Sequence, residues 1–122
     1  MCLDLHNQLR IPRIAFRNIK CYKVVDKIEF ANGRIVYETP YRRYQITIGD
    51  TYASELRKVD FFVYEGLHSF KDLNTTWVSY NDCKKPTVVE CIIPRWSLYY
   101  KGMFFRVESY ASNKLIYLKI VK

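Results

Sequence analysis

The sequence predicts an α+β domain: a mainly antiparallel β-sheet of six to eight strands with one or two short helices. Two patterns predict it. Short runs rich in Val, Ile, Tyr and Phe recur between Gly, Asn and Pro punctuation, as strands do between turns. One stretch carries bulky residues at helical spacing instead. A chain of 122 residues with 49% hydrophobic content is long enough to bury a core and short enough for a single domain, residues 1–122.

The segment IKCYKVVDKIEFANGRIVYETP places Asn32-Gly33 between two β-prone runs, and this dipeptide readily takes the positive φ values of a type I′ hairpin turn. Pro40 breaks the second arm. YRRYQITIG then reads as a strand with Tyr44, Ile46 and Ile48 on one face and Arg43, Gln45 and Thr47 on the other, the alternation of a sheet wet on one side. After the Gly49-Asp50 turn, VDFFVYEG reads as a strand ending at Gly66, so YEGLHSFKDL, Tyr64 to Leu73, becomes a strand-to-helix junction with His68 and Ser69 at its rim. From Asp72 onward, Leu73, Trp77 and Tyr80 recur at i, i+4 and i+7 and predict one apolar helical face, with Asp72 or Asn74 as cap and Lys84-Lys85-Pro86 as stop. TVVECIIP has the pattern of a central strand buried on both sides, interrupted by Glu90. SLYYKGMFFRVESYAS predicts a hairpin around Lys101-Gly102, and NKLIYLKIVK a closing strand.

Lys and Arg number 20 against 12 Asp and Glu, leaving a net charge of +8 that suits an anionic partner: a nucleotide, a nucleic acid or an acidic protein. The excess is spread over both halves of the chain, but Arg10, Arg13, Arg17, Lys20 and Lys23 follow one another without an acid and form the candidate basic face. Aromatics beside cations, as in Tyr41-Arg42-Arg43-Tyr44 and Arg95-Trp96, are the residue types that stack bases while meeting phosphates, although Tyr is also a good half-buried strand residue. No apolar run approaches the ~20 residues of a membrane helix, and MCLDLHNQLR lacks the apolar centre of a signal peptide. The expectation is a cytoplasmic protein, in a bacterial or host cell, that is neither secreted nor membrane-bound. Cys2, Cys21, Cys83 and Cys91 are widely spaced with no C-x-x-C pair, the pattern of free thiols in a reducing compartment.

Three constellations bear on chemistry. Removal of Met1 would expose Cys2 as a thiol beside a free amine, the arrangement of N-terminal nucleophiles. His6 and His68 have no ligand spacing around them, so no metal site is expected, and nothing implies a cofactor. His68 reads first as a structural residue tying the Gly66 turn to the expected helix, and second as a ligand contact or general base. Glu90, in an apolar strand, must pair, reach the surface or face a pocket; His68, Ser69 and Glu90 are therefore the catalytic candidates.

The segments MCL, CYKVV, VYEGLHSF, VVECIIP, YYKG and YASNKLIYLK, in that order, resemble a group of small uncharacterised proteins of bacteria, especially Bacteroides-type hosts, and their phages. The resemblance covers most of the chain, but Arg95-Trp96 stands where that group tends to carry a small residue or glycine. It implies that Gly66, His68, Ser69, Tyr100, Gly102, Tyr110 and Ser112 belong to recurring motifs, and it carries no activity with it. Tyr64, His68, Ser69, Tyr110 and Ser112 are accordingly the candidate ligand-binding residues. In segment order alone the chain is also similar to small ADP-ribosyltransferase-like domains, which would place Tyr22 or Lys23, then His68-Ser69, then Glu90 in their site; the clear motifs of that family are absent. The functional expectation is a non-enzymatic binding module for an anionic ligand or macromolecule, with an ADP-ribosyltransferase-like enzyme, its cleft near His68 and Glu90, as the alternative.

Overall fold

The computed structural model describes residues 3–6, 8–40 and 42–122, so the reading of Cys2 as a nucleophile, and Tyr41, lie outside the described residues. The fold class is corrected. The protein is mostly β, with 53% of its residues in thirteen strands of one curled antiparallel sheet and a single helix among the described residues. The strands are β1 (Leu3–Asp4), β2 (Arg13–Ile14), β3 (Ile19–Glu29), β4 (Ile35–Glu38), β5 (Gln45–Ile46), β6 (Thr51–Ala53), β7 (Arg57–Val59), β8 (Phe62–Glu65), β9 (Leu67–Phe70), β10 (Pro86–Ile93), β11 (Leu98–Phe104), β12 (Val107–Ser112) and β13 (Lys114–Ile120). Six to eight was too few because five of these strands are only two or three residues long, shorter than any window in which alternation can be read.

Across the sheet the order is β6-β13-β10-β3-β9-β12-β11-β1-β8-β7, with β2 paired to β11 and the β4–β5 pair attached to β3. Two short links bend this path into two lobes. β8 and β9 stand four steps apart along it yet are joined by Gly66 alone. The stretch from β9 to β8 must therefore close on itself, and Leu3, Leu5, Val63, Tyr100 and Ala111 fill its interior. β6 and β7, the two ends of the path, are joined by residues 54–56, which reach only on the order of 10 Å. The second lobe, built on β3, β10 and β13, packs Cys21, Val25, Val89, Cys91, Ile93, Leu115 and Tyr117 on its inner face. The reverse face of β3 and β10 carries Val24 and Val88, which meet Phe70, Phe104 and the partly buried Val78 and Tyr80 of the helix.

Gly102 is what lets the small lobe close. A Cβ there would lie 2.5 Å from the Asp4 carbonyl oxygen and 2.9 Å from Leu3 Cγ, so β1 passes against bare backbone. The expected turn around Lys101-Gly102 is therefore mid-strand. Phe104 pairs with Val107, and the hairpin turns at Phe105-Arg106, both at positive φ (47° and 65°). That is the backbone of a two-residue hairpin turn, built without the glycine or asparagine that usually marks it.

Other elements differ from expectation in instructive ways. The hairpin at Asn32-Gly33 forms, with Glu29 opposite Ile35, but only Gly33 takes positive φ (86°). Gly33 N–H donates to the Phe30 carbonyl at 2.9 Å, and Asn32 Oδ1 accepts from Arg34 N–H at 3.0 Å, so the loop is a longer turn closed by a left-handed glycine. YRRYQITIG shrinks to the two residues of β5, with Ile46 buried and Tyr44 exposed. Gly66 joins strand to strand, so His68 and Ser69 are buried β9 residues and not the rim of a helix junction. The helix, Leu73–Asp82, is 3₁₀ and buries Thr76 and Ser79, while Trp77 is 65% exposed. At three residues per turn the i and i+3 positions share a face, and the Thr75 and Thr76 hydroxyls tighten the turns by donating to the Asp72 and Leu73 carbonyls at 2.9 and 2.8 Å. Asp72 occupies the N-cap without a side-chain bond. The central position of β10 between β3 and β13, and the closing strand β13, are as the sequence predicts. No helix is long and apolar enough to cross a membrane among the described residues.

Candidate functional site

The second lobe is not filled. A cavity of about 500 Å³ opens beside β3, bounded by the β4–β5 loop, β6, β13 and the β8–β9 corner. Lys23 stands in its wall. β3 alternates so that Cys21, Lys23 and Val25 share the inner face, opposite Cys91, Val89 and Thr87 of β10. The lysine stem is thus held among fully buried neighbours while its head reaches the cavity. Burial lowers the Lys23 ammonium from its ordinary value to about 8, and the neighbours that favour its charge are the thiols of Cys91, Cys21 and Cys83. Among the described residues no carboxylate pairs with it. Glu65, the acid in the cavity wall, is held instead by Arg57 Nε at 2.9 Å.

Around the lysine, Arg42, Tyr44, Tyr52, Tyr64 and Tyr117 complete a wall of aromatic and polar groups. Tyr117 is buried, and its ring meets Tyr52 edge-on with centroids 5.3 Å apart. Tyr52 is fixed at its other end, where its hydroxyl accepts the Thr47 N–H at 2.7 Å. The loop bearing Arg42 and Tyr44 is anchored by its neighbour Arg43, whose Nη1 meets the buried Asp26 carboxylate at 2.7 Å. Lys85 N–H donates to the other Asp26 oxygen at 2.9 Å. Burial alone would raise the Asp26 pKa, but the hydrogen bonds from Arg43 and the backbone outweigh it and hold the carboxyl below its usual range. Arg43 has a left-handed φ of 58°, and its ion pair with Asp26 ties the rim to β3.

Of the expected ligand-binding residues, Tyr64 and His68 line the cavity; Ser69, Tyr110 and Ser112 do not. His68 is 6% exposed and both ring nitrogens face backbone, Nδ1 at 3.1 Å from the Gly66 carbonyl and Nε2 at 3.4 Å from that of Val63. Burial first, then the charge of Lys23, press its pKa down to about 3. A neutral ring has one N–H and can donate to only one of these carbonyls, which ties it across the β8–β9 corner; buried and with its charge suppressed, it is a poor general base. Ser69 is buried beside the Cys21 thiol, which burial pushes up to about 12. Tyr110 is buried with its ring edge-on to Tyr99, and the Ser112 hydroxyl donates to the Lys114 carbonyl at 2.9 Å.

Glu90 is absent from the cavity and sits between Lys20 Nζ at 3.7 Å and Lys119 Nζ at 3.9 Å, on the face of β10 opposite Val89 and Cys91. The five cations of the candidate basic face also separate. Lys20 and Lys23 point to opposite sides of β3, Arg10 lies over the Phe61 ring at 5.6 Å, Arg13 is in β2 and Arg17 is exposed. Among the described residues no three of His, Cys, Asp and Glu converge as metal ligands would.

Arg42 and Tyr44 belong to the Tyr41-Arg42-Arg43-Tyr44 run of the sequence, where their chemistry was visible but their cavity was not. The missed signal was Lys23: a lysine two residues from Cys21 and two from Val25, in phase with apolar positions, is on the wrong face to be a surface cation. No protein-family model, curated protein or solved structure matches the chain.

Proposed function

We propose that the protein is a non-enzymatic binding module that holds a small anionic ligand with a planar body in the Lys23 cavity. The observation that carries this reading is the Lys23 ammonium, placed at a cavity of about 500 Å³ with no carboxylate to neutralise it among the described residues. A half-buried cation without a counterion is costly, and an anion entering the cavity would supply the missing charge. Arg42 offers a second cation, and Tyr44, Tyr52 and Tyr64 offer flat apolar surface beside polar tips, the usual composition of a small-molecule site. The volume suits a nucleotide or an aromatic carboxylate.

Titration calorimetry with adenosine monophosphate, benzoate and inorganic phosphate tests the reading. Binding of at least one aromatic anion, tighter than that of inorganic phosphate and weakened tenfold or more in Lys23→Met, is the expected result. Equal affinity in the variant, or no heat with any probe at millimolar concentration, would count against it. Because the ligand needs the charged amine, affinity should fall as pH rises past the Lys23 pKa of about 8.

A further inference from the structure

Outside the cavity, the segment from Pro94 to Ser97 displays a tryptophan in an expensive way. Ser97 N–H donates to the Pro94 carbonyl at 3.1 Å, closing a four-residue turn, and Trp96, its third residue, has φ 74°. That position normally belongs to glycine, and positive φ in a bulky residue is an outlier that folding by itself does not favour. The turn is nonetheless rigid. Trp96 N–H donates to the Ala15 carbonyl at 2.7 Å, Ala15 N–H to the Ser97 carbonyl at 2.9 Å, and Arg95 N–H to Asn18 Oδ1 at 2.9 Å.

What the turn presents is aromatic and cationic. Phe16 is 74% exposed and Trp96 62%, and their rings meet edge-on at 6.3 Å between centroids. The Arg95 guanidinium lies 4.6 Å from the Trp96 ring centroid. Exposed Ile14 and Leu98, directly opposed in the β2–β11 pair, extend the surface. The two chain segments that build it, residues 5–25 and 91–107, contain no Asp or Glu. Arg17 and Arg95 carry no ion pair among the described residues, and Glu55, in the groove beside Leu98, is already paired with Arg57.

We infer that this surface binds single-stranded nucleic acid, with bases stacking on Phe16 and Trp96 and phosphates meeting Arg17 and Arg95. Stacking rings set beside unpaired arginines, with no acid in the segments that carry them, complement a chain of unpaired bases on an anionic backbone. A neutral or basic protein partner would gain nothing from the arginines, and the +8 charge of the whole chain favours a polyanion at long range. None of the residues lining the Lys23 cavity belongs to the surface, so the inference stands or falls apart from the cavity.

The test uses the full chain and a fluorescein-labelled oligo(dT), read by anisotropy at low and moderate salt. A Trp77→Phe background leaves Trp96 as the single tryptophan, so its emission should be quenched on binding. Trp96→Gly removes the ring while relieving the backbone; its Tm should be equal or higher, and affinity should fall about tenfold. Phe16→Ala should act similarly, and Arg95→Gln should reduce the salt slope by about one. Three outcomes would overturn the inference: undiminished affinity in Trp96→Gly, equal affinity for duplex DNA of the same length, or a Trp96 response to anionic phosphatidylglycerol vesicles with none to oligo(dT).

Discussion

The two lobes are made from one sheet and differ in what closes them. In the small lobe a single residue, Gly66, joins β8 to β9, and the interior is packed shut: Leu3, Leu5, Val63 and Ala111 are each 0% exposed. The other lobe also has a buried apolar face, but residues 54–56 and a loop held by the Asp26–Arg43 pair close it only in part, leaving about 500 Å³ with a lysine at its wall. At the β8–β9 corner, where the small lobe meets the cavity, His68 is buried, neutral and tied to backbone, while Lys23 of the larger lobe carries no ion pair among the described residues. The contrast separates residues whose burial fills the interior from a half-buried lysine whose desolvation opposes folding. Such a cost persists where the site has a use for it.

Acid should break the small lobe first. His68 has a folded pKa near 3 and an unfolded value of about 6.5, so between those values the unfolded chain binds a proton that the folded chain refuses. Its contribution is complete above pH 6.5 and is lost as pH falls, at about 1.4 kcal/mol per unit. Asp26, held below the ordinary carboxylate range, adds a slope of its own only below about pH 4. Urea melts between pH 6.5 and 4.5 should therefore show the slope in wild type and lose most of it in His68→Gln; a slope unchanged in the variant would reassign it elsewhere.

Overfilling the same lobe should cost nearly as much. Gly102→Ala puts a Cβ within 2.5 Å of the Asp4 carbonyl oxygen, and because that neighbour is backbone it cannot rotate away. A loss of about 3 kcal/mol in chemical denaturation is expected.

In the larger lobe the pH slope of the buried base has the same sign, but the substitution that removes it has the opposite effect on stability. Lys23 has a folded pKa of about 8 against an unfolded value near 10.4. Between these the unfolded state binds more protons at this site, so Lys23 by itself contributes a climb in stability from about pH 8 to 10.4, set against the fall contributed by the thiols of Cys21, Cys83 and Cys91, which burial pushes up. Lys23→Met should erase that climb and raise stability at pH 7 by up to about 3 kcal/mol, at about 1.4 kcal/mol per pKa unit, while abolishing anion binding. A destabilised Lys23→Met would make the lysine a structural residue and remove the contrast between the lobes.

The nearly continuous apolar run of β10 and the turn residues Asn32-Gly33 made the centre of the sheet readable from sequence, since each is a local signal that packing only reinforces. The lobes were not readable, because their closure depends on links whose meaning is spatial. Gly66 reads as a stop after VYE, and nothing local says that β8 and β9 are separated by three other strands. Trp77 reads as a core residue at a spacing of 3.6 and is exposed at a spacing of three. Of the cavity wall, Tyr64 and His68 stand in a sequence neighbourhood that draws notice by itself. Lys23 reads as one of a run of cations when charge is counted along the chain, and only its phase in β3 turns it toward the cavity.

The smallest change is the sharpest probe of the cavity wall. Tyr52 touches the buried Tyr117 ring with its own ring and accepts the exposed Thr47 N–H with its hydroxyl. Tyr52→Phe keeps the ring contact and leaves Thr47 N–H free to find water, so the stability change should be about 0.5 kcal/mol. Its effect on ligand binding should be larger than that, because the lost bond is what holds the ring at the angle it presents to the cavity, and a freed wall must be ordered again by the ligand. An affinity loss of about three- to tenfold with Tm nearly unchanged would mark Tyr52 as a positioning residue of the open lobe. Equal losses in both would mean that this wall, like the interior of the small lobe, is there only to pack.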